Sequence, residues 1–189
     1  MIKIGILGDI GSGKSYVAKN FGYPVFNADE EVTKIYKKNK RIFKKLKKIL
    51  PKYFTHFPIN KNNVTKAILA NKNNLNKIIK VIHFEVRIKL KRFLKKNNNK
   101  KIIILDIPLL LENKLNSKKD ILIFVQSKKT EILKRLKKRK NFNYELIKKF
   151  RNIQLPLDIK KKKSDFIIKN DFTNKTIKRN INKILKNIL

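Results

Sequence analysis

A glycine-rich octet near the start of this 189-residue chain has the residue types of a phosphate-binding loop. The octet reads GDIGSGKS over residues 8–15 and holds three of the five glycines in the chain. Gly8, Gly13, Lys14 and Ser15 satisfy the pattern G-x-x-x-x-G-K-[ST], in which backbone N–H groups turn inward around a phosphate. Glycine permits both the unusual φ angles of such a loop and the close approach of its backbone to a ligand.

The chemistry expected of this loop is the binding of a nucleoside triphosphate. The inward amides and a helix N-terminus form an anion nest, and Lys14 would reach the β- and γ-phosphates. The hydroxyl of Ser15 would be a Mg²⁺ ligand, with waters and nucleotide oxygens completing the coordination. The alternative is a glycine-rich turn that matches the pattern and binds no nucleotide. The residues predicted to bind the nucleotide are Gly11, Ser12, Gly13, Lys14, Ser15 and Tyr16.

Two aspartates at the ends of predicted strands are candidates for acid–base and metal chemistry. Ligands of open α/β sheets bind beyond the carboxyl ends of the strands, so Asp29 and Asp106 are both expected near the phosphates. Asp29 could accept a proton from an acceptor hydroxyl while the γ-phosphoryl group transfers. Because NADEEV (27–32) also reads as a capped helix start, Asp29 is alternatively a helix N-cap. Asp106 could support Mg²⁺ directly or through its waters.

Basic side chains supply further candidates for binding phosphates. His83 and Arg87 lie four residues apart on one face of a predicted helix, as either an acceptor clamp or an ordinary surface pair. Arg135, Arg139 and the run 160–163 lie in basic segments that could close over a triphosphate and neutralise charge in the transition state. The predicted catalytic residues are Asp29, Lys14 and Arg139.

An alternation of strands and helices must position these residues. Apolar, β-rich runs predict five strands, and runs with helical spacing predict the helices between them. The run 101–112 contains the apolar stretch IIIL (102–105), as expected of a strand buried on both faces of a parallel sheet. The predicted fold class is therefore α/β, with a parallel five-stranded sheet flanked by helices. Strands are predicted at 2–7, 25–26, 101–112, 121–125 and 164–170, and helices at 14–21, 30–49, 64–70, 74–96, 128–140, 143–153 and 173–189.

The composition is dominated by positive charge. Lys and Arg number 50 against 13 Asp and Glu, which gives a formal net charge of +37. This excess predicts either a polyanionic partner such as nucleic acid or a compositional drift that also enriches Asn, Ile and Phe. Since lysine is spread through every segment after residue 34, drift is favoured and no specific nucleic-acid partner is expected.

Other bulk features narrow the class of protein. The chain has no cysteine, which excludes disulfides and thiolate metal sites and fits a reducing cytoplasm. The start, MIKIGILGDI, lacks the features of a signal peptide, and no uncharged apolar run approaches the roughly 18 residues of a membrane span. We therefore expect a cytoplasmic, monomeric protein of one domain with no membrane partner.

Several motifs, in order along the chain, resemble those of the dephospho-coenzyme A (dephospho-CoA) kinases. GDIGSGKS resembles that family's phosphate loop, and PVFNADE resembles its strand ending in Asp-Ala-Asp, with Asp29 on the second Asp. IHFEVR resembles its His-Pro-x-x-Arg segment at His83 and Arg87. ILDIPLLLE is similar to its Asp-(Ile/Val)-Pro-Leu-Leu-x-Glu stretch, and QLPLDIKKKKSDFIIKN to its Gln-x-Pro-x-x-x-Lys…Ala-Asp-x-x-Ile-x-Asn run. These last two stretches match at Asp106, Pro108, Leu109, Leu110, Glu112, Gln154, Pro156, Lys160, Asp165, Ile168 and Asn170.

The resemblance implies transfer of the ATP γ-phosphate, with Mg²⁺, to the ribose 3′-hydroxyl of dephospho-CoA, the last step of CoA synthesis. It implies a P-loop kinase fold with a core at about 1–29, 101–127 and 164–189, a helical acceptor-binding part at about 30–100 and a lid at about 128–163. It makes Asp29 the base and puts Asn170 by the adenine of ATP. The implied acceptor-binding residues are Asp29, His83, Arg87, Asp106, Pro108 and Leu109.

The chain also departs from the family pattern. The departures are Asn27 for the first acidic residue of the signature, Phe84 for the proline after the histidine, Lys61 for an arginine, Phe150 for a lid arginine (beside Arg151), and Tyr16 for a small hydroxyl residue. Because lysine lacks the bidentate geometry of arginine, such changes bear on acceptor affinity and rate more than on reaction type. Two alternative functions stay open: a P-loop kinase for another small acceptor, such as a nucleoside monophosphate, and a nucleic-acid-binding NTPase.

Overall fold

The strands of the chain form one parallel sheet. The computed structural model describes residues 1–140 and 142–189, and in this part of the chain the strands follow the order β2-β3-β1-β4-β5. Every neighbouring pair is parallel, which confirms the predicted fold class. This order puts β1, which runs into the glycine octet, at the centre of the sheet. The strands are β1 (Ile2–Gly8), β2 (Val25–Asn27), β3 (Ile102–Asp106), β4 (Ile121–Gln126) and β5 (Phe166–Lys169).

Helices form the connections between successive strands, as parallel pairing favours, except between β3 and β4, where the described residues 107–120 contain turns and no helix. One helix joins β1 to β2, four lie between β2 and β3, and three lie between β4 and β5, counted over the described residues. They are α1 (Lys14–Asn20), α2 (Ala28–Lys38), α3 (Lys40–Ile49), α4 (Lys61–Ala70), α5 (Lys72–Lys96), α6 (Lys129–Lys137), α7 (Tyr144–Asn152), α8 (Leu157–Lys162) and the C-terminal α9 (Asn174–Ile188). Within the part of the chain that the structure describes, none of these helices has the length and apolar character to cross a membrane.

The contacts between residues divide the chain into two compact units. The first, Met1–Asn27 with Asn97–Leu189, contains the sheet, and the second, Ala28–Lys96, contains α2 to α5. The division into core, acceptor-binding part and lid remains a prediction about roles. Residue 141, which belongs to the predicted lid, lies outside the described residues.

The core of the sheet unit is built from the aliphatic residues of its central strands. Ile4 and Ile6 of β1, with Ile102 and Ile104 of β3, are fully buried. Helices α1 and α9 cover one face, and their apolar stripes join this cluster. β3 is buried along its whole length, as predicted for a strand inside a parallel sheet. The sheet therefore gives the octet at the end of β1 a rigid base.

The helical unit is organised around α5, a helix of 25 residues. Its buried residues recur at helical spacing, and α2, α3 and α4 all pack against it. The buried stripe comprises Leu75, Ile78, Ile82, Val86 and Leu90. This stripe fixes which way the neighbouring side chains of α5 face.

The largest differences from the sequence prediction are two element boundaries and one additional helix. The strand predicted over 101–112 ends at Asp106, because Pro108 has no N–H for a ladder and the chain turns, with Leu110 N donating to Ile107 O (3.1 Å). The helix predicted over 30–49 breaks at Asn39, whose side chain accepts from Ile42 N (3.1 Å) and caps α3. The short helix α8 after Pro156 was not predicted.

Candidate active site

The octet adopts a backbone that only glycine tolerates at its key positions. Gly11 has φ 88° and Gly13 has φ 91°, both in the left-handed region. A Cβ at Gly11 would stand 2.9 Å from Leu136 Cγ, and one at Gly13 would collide with the side-chain amide of Asn170. The loop therefore has both the conformation and the close packing for which the sequence uses its scarce glycines.

The loop is tied to the ends of β4 and β5 through one carbonyl. Ser12 O accepts from Ser127 Oγ at 2.9 Å and from Asn170 Nδ2 at 2.8 Å, while Asn170 Oδ1 accepts from Phe172 N at 2.7 Å. Asn170 is buried. The structure thus brings Asn170 to the loop, where sequence reasoning expected a nucleotide contact. Ser127, which directly follows β4, was not predicted.

Lys14 lies along the loop that it follows. Its Nζ donates to the carbonyl of Asp9 at 2.8 Å and to that of Gly8 at 3.2 Å. α1 begins at Lys14, after Gly13 as N-cap, and no side chain caps it. The amides of its first turn therefore point beyond the helix start, as an anion site requires. Ser15 and Tyr16, next in this turn, are exposed.

The residues present fit a Mg²⁺ ion that arrives with a nucleotide. Ser15 offers an exposed hydroxyl at the start of α1, and Asp106 offers a carboxylate at the end of β3. Among the described residues no group of three or more His, Cys, Asp or Glu could hold a metal ion alone. Mg²⁺ in phosphoryl-transfer sites takes few protein ligands and keeps waters and phosphate oxygens, so this sparse donor set suits it.

Asn27 and Asp106 face each other across the β2–β3 pair. The two residues are register partners, and Asn27 Nδ2 donates to Asp106 Oδ2 at 2.7 Å. Asp106 is only 3% exposed. An acidic residue at position 27 would put a second negative charge beside this buried carboxylate, and the pKa of one of them would then rise. The departure at Asn27 therefore supplies a neutral donor to Asp106.

A buried ion pair joins two segments, around Glu112 and Lys160, that the sequence analysis had connected only because both resemble motifs of the same family. Lys160 Nζ lies 2.8 Å from Glu112 Oε1 and donates to Gln154 Oε1 at 3.0 Å, and Lys160 is 1% exposed. The same Glu112 oxygen accepts from Leu155 N at 2.8 Å. Lys160 was a candidate for closing over a triphosphate as part of the run 160–163. The structure instead gives it this internal pairing, while residues 161–163 are exposed.

The loop also carries an ion pair that sequence reasoning missed. Arg151 of α7 donates to both carboxylate oxygens of Asp9, from Nε at 3.2 Å and from Nη2 at 2.9 Å. Phe150, beside it, is half-buried. The only signal in the sequence was an arginine adjacent to position 150, and nothing local connects it with residue 9.

The remaining basic candidates of the sheet unit are exposed. Arg139 lies in the turn after α6 and is exposed. Arg135 of α6 stacks on Phe172, with its Cζ 4.2 Å from the ring centroid. Because Phe172 N bonds to Asn170, this stacked pair adjoins the Asn170 contact with the loop. Pro108 and Leu109 lie half-buried in the turn after β3.

The helical unit holds the other predicted acceptor residues. Asp29 is the second residue of α2 and is exposed, so it lies in an acidic first turn rather than at the N-cap position. The pKa of the Tyr36 phenol is raised, first by burial and then by the negative charge of Asp29. On α5, His83 is half-buried and Arg87 is exposed. Phe84 is 55% exposed, with Lys45 Nζ 5.6 Å from its ring centroid.

A parallel sheet of order β2-β3-β1-β4-β5, with a glycine loop and Lys14 after its central strand, defines a P-loop kinase. The sequence profile of the dephospho-CoA kinase family matches residues 2–176. The chain belongs to this family and is a kinase, an enzyme that transfers a phosphoryl group.

Individual relatives agree with the family assignment. A dephospho-CoA kinase of Wolbachia pipientis wMel is 34% identical over 170 residues, which cover 87% of each chain. Among solved structures, the Thermus thermophilus protein TT1252 is 26% identical with a TM-score of 0.79, over 100% of this chain and 98% of that one. The dephospho-CoA kinase from Campylobacter jejuni shares the fold at 23% identity, with a TM-score of 0.64 over 98% of this chain and 96% of that one.

Proposed function

We propose a residue-level mechanism for the reaction that family membership assigns to this chain, the ATP-dependent phosphorylation of dephospho-CoA to CoA. The bond that forms joins the ribose 3′-oxygen to the γ-phosphorus of ATP. The bond that breaks joins this phosphorus to the β,γ-bridging oxygen, so the products are CoA and ADP. The observation that carries the proposal is the glycine loop with Lys14 folded along it at the end of β1.

On the donor side, the loop and Lys14 bind the triphosphate. The first-turn amides of α1 and those of the loop from Gly11 donate to phosphate oxygens. Lys14 Nζ, which donates to two neutral carbonyls, binds the β- and γ-phosphates more strongly because charged acceptors make stronger hydrogen bonds. The adenine lies beside Asn170, whose amide already contacts the loop.

A Mg²⁺ ion that arrives with ATP would supply positive charge to offset that of the phosphate oxygens. In this proposal the Ser15 hydroxyl is its protein ligand, and Asp106 orients its waters. The carboxylate of Asp106 is held in place at the end of β3 by the hydrogen bond from Asn27 Nδ2.

On the acceptor side, Asp29 takes the proton from the ribose 3′-hydroxyl as this oxygen attacks. Its support is an exposed carboxylate in the first turn of α2, two residues beyond β2. His83 and Arg87 bind the acceptor's phosphates. Arg87 carries a positive charge that does not change with pH in the physiological range. Asp106, at the end of β3, and Pro108 and Leu109, in the turn after it, are further acceptor-binding residues in this proposal.

Several other features belong to the same proposal. Arg139, in the lid at about 128–163, neutralises charge on the transferring phosphoryl group. The helical part at about 30–100 binds the acceptor. We place the enzyme in the cytoplasm as a monomer, with ATP and dephospho-CoA as its partners and with neither a specific nucleic acid nor a membrane.

A panel of acceptors tests the proposed function. The purified chain is incubated with ATP, Mg²⁺ and either dephospho-CoA, AMP or CoA, and the products are identified by mass. We expect rapid ADP release with dephospho-CoA alone and a product whose mass is that of CoA. CoA is the matched control, because its 3′-oxygen already carries a phosphate. Faster phosphorylation of AMP, or phosphorylation of CoA itself, would assign a different acceptor or a different hydroxyl.

A further inference from the structure

We propose that Asp9 is a positioning residue that holds Arg151 beside the phosphate loop, so that Arg151 contacts the phosphates of the donor. The inference rests on the proposed function, since it requires that this loop binds ATP. Asp9 and Arg151 are separated by 142 positions in the chain, yet they make a two-point contact at 2.9 and 3.2 Å. This parallel geometry orients the guanidinium plane as well as its position.

Asp9 is itself fixed to the loop. Its Oδ1 accepts from Ile10 N at 2.7 Å, and its carbonyl accepts from Ser12 N at 3.2 Å and from Lys14 Nζ at 2.8 Å. The Asp9 side chain is 14% exposed. The carboxylate is therefore a rigid anchor whose place is set by the same backbone that would wrap the phosphates.

The charge of Asp9 would by itself oppose the function of the loop. A carboxylate on a phosphate-binding loop repels a triphosphate, and only 13 residues of this chain are acidic. Arg151 cancels that charge and brings a guanidinium to the loop. The pair is therefore neutral as a whole, while the guanidinium of Arg151 is still able to donate to a ligand.

Arg151 keeps donors that Asp9 does not use. A guanidinium has five N–H donors, and the contact with Asp9 takes the one on Nε and one on Nη2. The Arg151 side chain is 39% exposed, and it lines a cavity of about 470 Å³ together with Asp9 and Lys129. In this proposal an oxygen of the donor phosphates accepts from these remaining donors while the contact with Asp9 is kept. The guanidinium then helps to neutralise the charge that is spread over the γ-phosphoryl oxygens during transfer.

A double-mutant cycle tests this role with ATP and dephospho-CoA. We expect R151A to lower kcat/KM for ATP about 100-fold, as the loss of one transition-state donor does, and R151K to lower it less. D9N should lower kcat by loosening Arg151. The double variant D9N/R151A should be more active than R151A, because it also removes the unpaired carboxylate. R179A, which removes an exposed arginine of α9, is the matched control and should retain wild-type kinetics.

These measurements distinguish a positioning role of the Asp9–Arg151 pair from a purely structural role. Unfolding free energies are measured for every variant. If the pair were purely structural, the loss of activity in each variant would follow its loss of stability. An R151A variant with wild-type kcat/KM, or a double variant no more active than R151A, would overturn the proposal. If R151A does not fold, R151K decides, since it keeps the charge and loses the two-point geometry, and wild-type kinetics would refute the role. The wild-type enzyme is assayed for CoA formation in the same experiment. This assay tests the proposed function independently of whether Arg151 contacts the donor phosphates.

Discussion

At the scale of single residues, the acid–base assignment depends on Asp29. Its exposed carboxylate lies in the first turn of α2, a turn that also contains Glu30 and Glu31. Three acidic residues at a helix start stabilise the helix dipole together, so the position alone does not distinguish a base from a dipole partner. A kinetic comparison with a neighbour in the same turn makes this distinction.

We predict that Asp29→Asn lowers kcat by about 10²- to 10⁴-fold, because the amide cannot take the hydroxyl proton, and leaves KM for ATP nearly unchanged. Steady-state assays with varied ATP and dephospho-CoA measure both constants. Glu30→Gln is the matched control, since it removes one charge from the same turn and should change kcat little. An equal loss of kcat in both variants would mean that Asp29 only stabilises the helix dipole. A parallel loss of ATP affinity would mean that Asp29 binds ATP.

Asn27 shows how a departure from a family pattern acquires a physical reason. In the sequence alone, Asn27 was recognisable only as a replacement of the acidic residue usual in the family pattern. In the structure its amide donates to Asp106, which is nearly fully buried at the end of β3. The hydrogen bond gives this buried carboxylate a neutral donor, where an acidic residue at position 27 would place a second negative charge beside it.

At the scale of elements, the Lys160–Glu112 pair joins α8 to the turn after β3. Lys160 is one of the most buried large side chains among the described residues, although the chain has 50 cationic residues. Its ammonium contacts Glu112 and Gln154, and Glu112 in turn accepts from Leu155 N. One ion pair therefore holds three separate segments together.

We predict that Lys160→Met lowers the free energy of unfolding by about 3–5 kcal/mol, because it leaves the carboxylate of Glu112 largely buried and uncompensated. Denaturant titration followed by circular dichroism gives this value. Lys162→Met, on the exposed side of the same helix, is the control and should change stability by less than about 0.5 kcal/mol. Equal stability of the two variants would show that the buried pair contributes nothing net.

At the scale of the whole molecule, the net charge of +37 is the property that most invites a second function. The acidic residues that remain make specific contacts: Asp9 with Arg151, Glu112 with Lys160, and Asp120 with Lys3 at 3.6 Å. Lysines occur in the helices of both compact units and in the turns between elements. This distribution favours a compositional origin over a built nucleic-acid interface.

We predict that the protein binds DNA and RNA without sequence preference at low salt and that this affinity falls steeply as salt rises, because counterion release drives it. Filter binding across a salt series measures the slope. Kinase turnover measured with and without nucleic acid is the second readout, and it should not change at physiological salt. Hydrolysis of ATP stimulated by nucleic acid would instead support a nucleic-acid-dependent NTPase, whereas a shallow salt slope would contradict our prediction and also count against that alternative.

The sequence alone determined the phosphate loop, the class of fold and the family. The loop was predictable because its chemistry lies in eight consecutive residues, and the strands because β-rich apolar runs such as IIILD are local patterns. Boundaries failed where a single residue decided them, as with the cap at Asn39 and the turn at Pro108. The roles of Asp29, His83 and Arg87 remain predictions that kinetics must test.

Only the tertiary structure decided which polar groups pair. The contacts of Asp9 with Arg151, Asn27 with Asp106, and Asn170 with Ser12 each join residues that are far apart in the chain. No local pattern specifies such partners, because a hydrogen bond depends on distances and directions that exist once strands and helices have packed. The sequence marks where phosphate chemistry can occur, and packing determines which charges surround it.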